Sequence, residues 1–148
     1  GNTLNTTEAI LLNILNDSLG FSTRITYLFN GSPITVRVDN LKRKLNISEN
    51  KIEIDLNIDF MVSEFPQDNL DKVSNRKELD KFLTEKIEHD MNEVLKKLQE
   101  AKCDALGLGR SVRAFHPQWF KKDWNEHFSN LDISAKVNIE ITKTGILE

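Results

Sequence analysis

A single cysteine, Cys103, leaves this chain without an intrachain disulfide framework. Three prolines and six glycines in 148 residues exclude collagen-like and low-complexity classes, and 39% hydrophobic content suffices for a buried core. No apolar run approaches the roughly 20 residues that a membrane-crossing helix needs. Neither sign of charge dominates: 23 acids face 20 bases, for a net charge of -3, and the acids are spread along the chain rather than gathered in a tail. Such a surface does not attract a phosphate backbone over a distance, so nucleic acid is not expected as a partner. No secretory signal or lipidation cysteine stands near the start, and residues 1–148 read as one domain cut from a longer protein.

What is present is periodicity. Asn5 followed by Glu8 is the pattern of a capping box, and Ala9 to Leu15 is apolar enough to lie on a core, with Gly20 as a plausible stop. Ile25, Tyr27 and Phe29 alternate with other residues from Thr23 to Phe29, and Asn30-Gly31-Ser32-Pro33 has turn composition. A return strand carries Ile34, Val36 and Val38 on one face, ending at Asp39. Beyond it lies a basic patch, Lys42-Arg43-Lys44, flanked by Leu41, Leu45 and Ile47. From Lys51 to Ser63, Ile52, Ile54, Leu56, Ile58, Phe60 and Val62 point one way, and Glu53, Asp55, Asn57 and Asp59 the other. A strand with one dry and one wet face argues for antiparallel pairing rather than a βαβ unit.

Pro66 closes this region. Asn75, with Glu78 three residues on, opens a helix of about 24 residues, roughly 36 Å long. Its stripe of Leu79, Phe82, Leu83, Ile87, Met91, Val94, Leu95 and Leu98 has helical period, and Glu85, Lys86, Glu88, Asp90, Glu93, Lys96 and Lys97 read as the solvated side. A last strand runs from Leu131 to Ile141. The fold class is therefore α+β: an antiparallel or mixed sheet of about four strands, with the long helix and shorter helices packed on its apolar face.

Residue types with chemistry gather between Ala101 and Phe128: both tryptophans, the only cysteine, two of three histidines, and Gly107 and Gly109. Their spacing does not assemble a site. Cys103, His116 and His127 show no paired ligand spacing for zinc, and no metal or cofactor is expected. Cys103 follows a helix exit, where the dipole disfavours a thiolate, and reads as a buried or half-buried structural residue. Gly107-Leu108-Gly109 lacks the third glycine of a dinucleotide loop, since position 112 is Val, and reads as a tight turn after the long helix. Pro117 suits a first helical turn, after which Phe120, Trp124 and Phe128 make an aromatic rib that docks on the sheet or the long helix. Trp119 turns toward the flank and is a candidate partner contact. Glu53, Asp55 and Asp59 share a strand face without a pocket; they keep the open face wet and pair across strands with Arg37 or Lys136. No nucleophile has its helpers at a recognisable spacing, so no catalytic residue is assigned.

The run from Leu98 through Cys103-Asp104 and Gly107-Leu108-Gly109, then Pro117, Trp119, Trp124 and Phe128, then Val137-Asn138-Ile139-Glu140-Ile141 up to Thr144-Gly145, resembles the C-terminal domain of the C subunit of spore germinant receptors. Glu8 to Asn16 is similar to the helix that opens this domain, with Ala9-Ile10-Leu11 where a glycine is usual. The resemblance implies a lipoprotein of Gram-positive spore formers, held at the inner spore membrane by an N-terminal lipid anchor outside this chain. It implies two membrane-embedded partners, the A and B subunits, a response to small-molecule germinants, and no enzymatic activity. The resemblance implies that Asp104, Gly107, Gly109, Pro117, Trp119 and Trp124 are family-pattern residues, and that Asp104, Gly107, Gly109, Pro117, Trp124 and Phe128 form the structural signature. The leading expectation is an interaction domain whose contact surface includes Trp119 or Lys42, Arg43 and Lys44. The alternative is a small-ligand domain with the germinant between the open sheet face and a loop.

Overall fold

The computed structural model describes residues 3–17, 23–64 and 73–144, with side chains over 3–17, 23–62 and 77–142. The stops expected at Gly20 and Pro66 and the residue Gly145 lie outside these, and the long helix expected to open at Asn75 begins already at Val73. Among the described residues nine elements follow in order: α1 (Thr6–Leu15), β1 (Arg24–Phe29), β2 (Ser32–Ile47), β3 (Lys51–Glu64), α2 (Val73–Glu100), α3 (Leu108–Phe115), a 3-10 turn (Pro117–Trp119), α4 (Trp124–Asn130) and β4 (Asp132–Thr144).

α1 starts where the capping box places it: Asn5 Oδ1 accepts from the Glu8 amide at 2.8 Å, and the Asn5 amide donates to Glu8 Oε1 at 3.1 Å. Glu8 also receives Lys97 Nζ of α2 at 2.9 Å. That hydrogen bond, then the one from the Asn5 backbone, holds its carboxyl below the usual range. β1 and β2 meet across Asn30-Gly31, both at positive φ (51° and 82°), which matches the twist of a two-residue hairpin.

β2 is longer than expected. It continues through Lys42-Arg43-Lys44 to Ile47, pairing residue by residue with β3 from Leu41↔Ile58 to Ile47↔Ile52. The basic patch is therefore a strand segment whose alternation places Lys42 and Lys44 on the outer face, exposed, and Arg43 on the inner side, half-buried.

The sheet order is β1-β2-β3-β4, curled into a half-barrel, with β1–β2 and β2–β3 antiparallel and β3–β4 parallel. The sheet is thus mixed, and the argument against a βαβ unit is corrected at β3 and β4. Parallel strands lose their alternation only when both faces are covered, and here only one is. Ile52, Ile54, Leu56, Ile58, Phe60 and Val62 are fully buried beneath the helices, while Glu53, Asp55, Asn57 and Asp59 stay exposed or half-buried.

α2 supplies the crossover and spans 28 residues, about 42 Å at 1.5 Å per residue. Its apolar stripe buries Leu79, Leu83, Ile87, Met91, Val94 and Leu95 against the sheet. Its neighbouring polar stripe lies along β4. The Ile141 amide donates to Asp80 Oδ1 at 3.1 Å, that of Val137 to Glu88 Oε1 at 2.9 Å, and that of Ala135 to Asn92 Oδ1 at 2.8 Å. Asn92 Nδ2 returns a bond to the Ala135 carbonyl at 3.1 Å, and Gln99 Nε2 donates to the carbonyls of Phe128 and Leu131 at 2.9 and 2.7 Å. Glu88, expected on the solvated side, instead serves the outer edge of β4.

Truncating Asn92 strands both polar groups of Ala135 at a half-buried edge. Asn92→Ala is expected to lower the free energy of unfolding by about 1–3 kcal/mol, whereas Glu85→Ala, at an exposed position of the same helix, should stay within about 0.5 kcal/mol. Paired urea titrations check this; equal midpoints would show that the edge bonds carry no stability.

Candidate functional site

The chain between α2 and α4 is built around one carboxylate. α2 ends in a Schellman turn without glycine: Lys102 takes φ 52°, its amide donates to the Gln99 carbonyl at 3.0 Å, and that of Cys103 to the Leu98 carbonyl at 2.9 Å. The helix stop expected of the glycines thus falls to Lys102. The same turn leaves Cys103 exposed, which corrects its expected burial.

Asp104 follows, and its side chain accepts three bonds: from the Leu108 amide at 2.8 Å, from the Gly109 amide at 2.7 Å and from Trp124 Nε1 at 2.9 Å. Two orphan donors at the start of α3 are thereby satisfied by a residue ahead of the cap position, which Gly107 occupies at φ 67°. A side chain at Gly107 would be strained in that conformation and would press on Arg110. At Gly109 a Cβ would come within 2.6 Å of Trp124 Nε1, so glycine there lets the indole reach Asp104. Asp104, Gly107, Gly109 and Trp124 are one contact set.

The aromatic helix is interrupted. Pro117–Trp119 is a single 3-10 turn, Phe120 has extended backbone (ψ 131°), and α4 begins only at Trp124. The rib survives the break, because Phe120 and Trp124 stack at 5.6 Å with 10° between planes. Phe128 is fully buried, but Trp124 is only half-buried at the rim of the core. Trp119 is half-buried too, stacked on His116 at 4.5 Å. His127 meets Trp124 edge-on, and Arg113 lies 5.5 Å from the Phe120 ring. Both histidines of this segment are thus engaged with aromatic rings, and among the described residues no group of three His, Cys, Asp or Glu side chains is placed to hold a metal ion.

The basic residues sit far along the chain from this corner and are divided by the sheet. Lys44 stands opposite Asp55 in strand register, and Asp55 stands opposite Lys136, so the acid lies between two lysines on the outer face. Asp55 Oδ2 also accepts from Asn46 Nδ2 at 2.7 Å. Arg37 does not join this row: it faces Met61 and donates to its sulfur at 3.3 Å. On the inner side Arg43 Nε is buried without a partner among the described residues, and burial lowers the guanidinium pKa.

Among the described residues, helices on one face of a mixed four-stranded sheet and an aspartate-centred corner define an α+β domain. The sequence profile for "Spore germination B3/ GerAC like, C-terminal" matches residues 1–145, and the chain belongs to that family. Among its relatives, spore germination protein B3 of Bacillus subtilis (strain 168) is 28% identical over 125 residues, covering 78% of this chain and 33% of that protein. Spore germination protein GerQC of Bacillus cereus is 25% identical over 80 residues, 54% of this chain and 22% of that protein. The chain thus spans a third or less of the length of these relatives. The crystal structure of the GerBC protein shares the fold, with a TM-score of 0.80 at 23% identity over 94% of this chain and 46% of that one. Among the described residues no helix is long and apolar enough to cross a membrane.

Gly109→Ala places a methyl group where the indole lies, and is expected to cost about 1–3 kcal/mol through overpacking. It should also shift Trp fluorescence as Trp124 leaves Asp104. An unchanged spectrum with wild-type stability would show that the contact is dispensable.

Proposed function

We propose that this chain is a non-enzymatic domain of a spore germinant receptor C subunit, contacting the membrane-embedded A and B subunits beside the inner spore membrane. In this reading a lipid anchor holds the protein at that membrane. The observation that carries the reading, beyond family membership, is the outer sheet face. The described helices pack on the opposite side, and this face presents Lys42, Lys44, Lys136, Asp55 and Asp59 to solvent or half-buried, with Lys44 and Lys136 in facing register with Asp55. A mixed-sign, uncovered strand surface suits reversible recognition of another protein better than the enclosure of a small molecule. Trp119 contributes a second contact: it is half-buried against His116 and the core, and the part left open is an aromatic anchor of the kind that concentrates binding energy. Arg43, turned inward, supports the strand rather than the contact.

The test is co-purification from spore membranes of the full-length protein carrying K42E and K44E, or W119A, with the A and B subunits. Wild-type protein should retain them, and the double charge reversal should reduce recovery about tenfold or more, the loss expected from roughly 1.4 kcal/mol. Wild-type recovery from both variants would overturn the assignment of these contacts.

A further inference from the structure

The sheet has two edges, and the chain treats them differently. Asp80, Glu88 and Asn92 occupy outward amides of β4, whereas among the described residues β1 carries no such cover. The two-residue turn at Asn30-Gly31 makes Phe29 and Ser32 the hydrogen-bonded pair that closes the hairpin. Alternation then aims the N–H and C=O of Leu28, Thr26 and Arg24 away from β2. Among the described residues no group donates to or accepts from these outward backbone atoms. The same three side chains are exposed, Leu28 at 68%. β1 contains no proline, lysine or register shift of the kind that discourages further pairing.

Beside this edge lies a cleft of about 420 Å³ between β1, α1 and α2. Tyr27 lines it, 7% exposed, with Oη buried and unpartnered among the described residues. Leaving a buried hydroxyl unmade costs about 1–3 kcal/mol, which a ligand group can recover. Of the charges around the cleft, Glu8 pairs with Lys97 and Asp90 with Lys86, leaving the Glu93 carboxylate unmatched among the described residues. A strand added to β1 would direct the residue opposite Tyr27 to the same side as Tyr27, into this cleft.

We propose that β1 is a docking edge for an extended segment of a partner polypeptide, which adds antiparallel to Arg24–Leu28 and sends a basic side chain into the cleft beside Tyr27. Antiparallel addition gives the better-aligned ladder, and the unbalanced acid selects the sign of the side chain. The proposal rests on reading the chain as an interaction domain, and names a surface separate from Lys42 and Lys44.

The probe is a capped heptapeptide, Thr-Val-Thr-Lys-Thr-Val-Thr, added at millimolar concentration to the 148-residue chain while amide exchange is followed by NMR. In the free chain, Thr26 and Leu28 amides should exchange openly and those of Ile25 and Tyr27 slowly. The peptide should slow Thr26 and Leu28 about tenfold or more, and replacing its lysine with glutamate should weaken binding about tenfold. Thr26→Pro, which removes an outward donor, should abolish the effect, as should N-methylation of alternate peptide amides; the methylated peptide keeps the test valid if the proline variant is unstable. No protection, equal binding of the lysine and glutamate peptides, or binding by the methylated peptide would overturn the proposal. So would a dimer of the free chain that Thr26→Pro dissolves, since the edge would then belong to a second copy. Absent peptide binding alongside lost subunit recovery in K42E/K44E would remove this edge alone and leave the proposed function standing.

Discussion

The architecture depends on a match of repeat lengths between α2 and the edge of β4. Four helical residues rise about 6 Å and two strand residues about 6.6 Å. A polar side chain every four positions on the helix can therefore meet every second backbone amide of a strand beside it. Glu88 and Asn92 meet Val137 and Ala135 on this principle, and Asp80 and Gln99 extend the line to Ile141 and Leu131. The apolar stripe holds α2 over the sheet, and the polar stripe sets its position along β4. With β4 so placed beside β3, the crossover must fit α3, the 3-10 turn and α4 into one corner.

That corner is held by Asp104. Its carboxylate caps α3 and holds the Trp124 indole, tying the start of one short helix to the start of the next. Neither helix is long enough to be stable by itself in water. Gln99 secures the far end by bonding the carbonyls of Phe128 in α4 and of Leu131, the cap residue just before β4. The residue types that first suggest chemistry are spent on this junction: indole, carboxylate and glycines pack and bond to one another. What the chain offers outward is its sheet, through one open face and one open edge.

Much of this was legible in the residues. Alternation placed β1, β3 and β4, the helical stripe placed α2, and the Asn5/Glu8 pair placed the start of α1. Strand direction was not legible, because alternation reports which faces are dry and not which way a neighbour runs. β2 ends early in the sequence pattern because a bulge between Val38 and Asn40 shifts the alternation by one residue, so that Leu41, Arg43, Leu45 and Ile47 take the inward positions out of phase with Ile34, Val36 and Val38. Glu88 read as solvated because a carboxylate bonding a strand edge looks, in sequence, like any surface acid. The spacing of Asp104, Gly107 and Gly109 was visible, but the bond to Trp124 joins residues twenty positions apart and no local pattern announces it.

The parallel pairing of β3 with β4 bears on the order in which the molecule can assemble. β1, β2 and β3 are joined by short turns, so their pairing closes small loops. Asp132 pairs with Lys51, about eighty positions earlier, and the entropy of that closure is lost before the ladder returns anything. α2 shortens the effective search, because a formed helix already lying on the three-stranded ribbon carries the chain across and presents the polar groups that β4 must meet. The parallel strand thus joins a surface already assembled by the rest of the chain, as the closing element of the fold and not its nucleus.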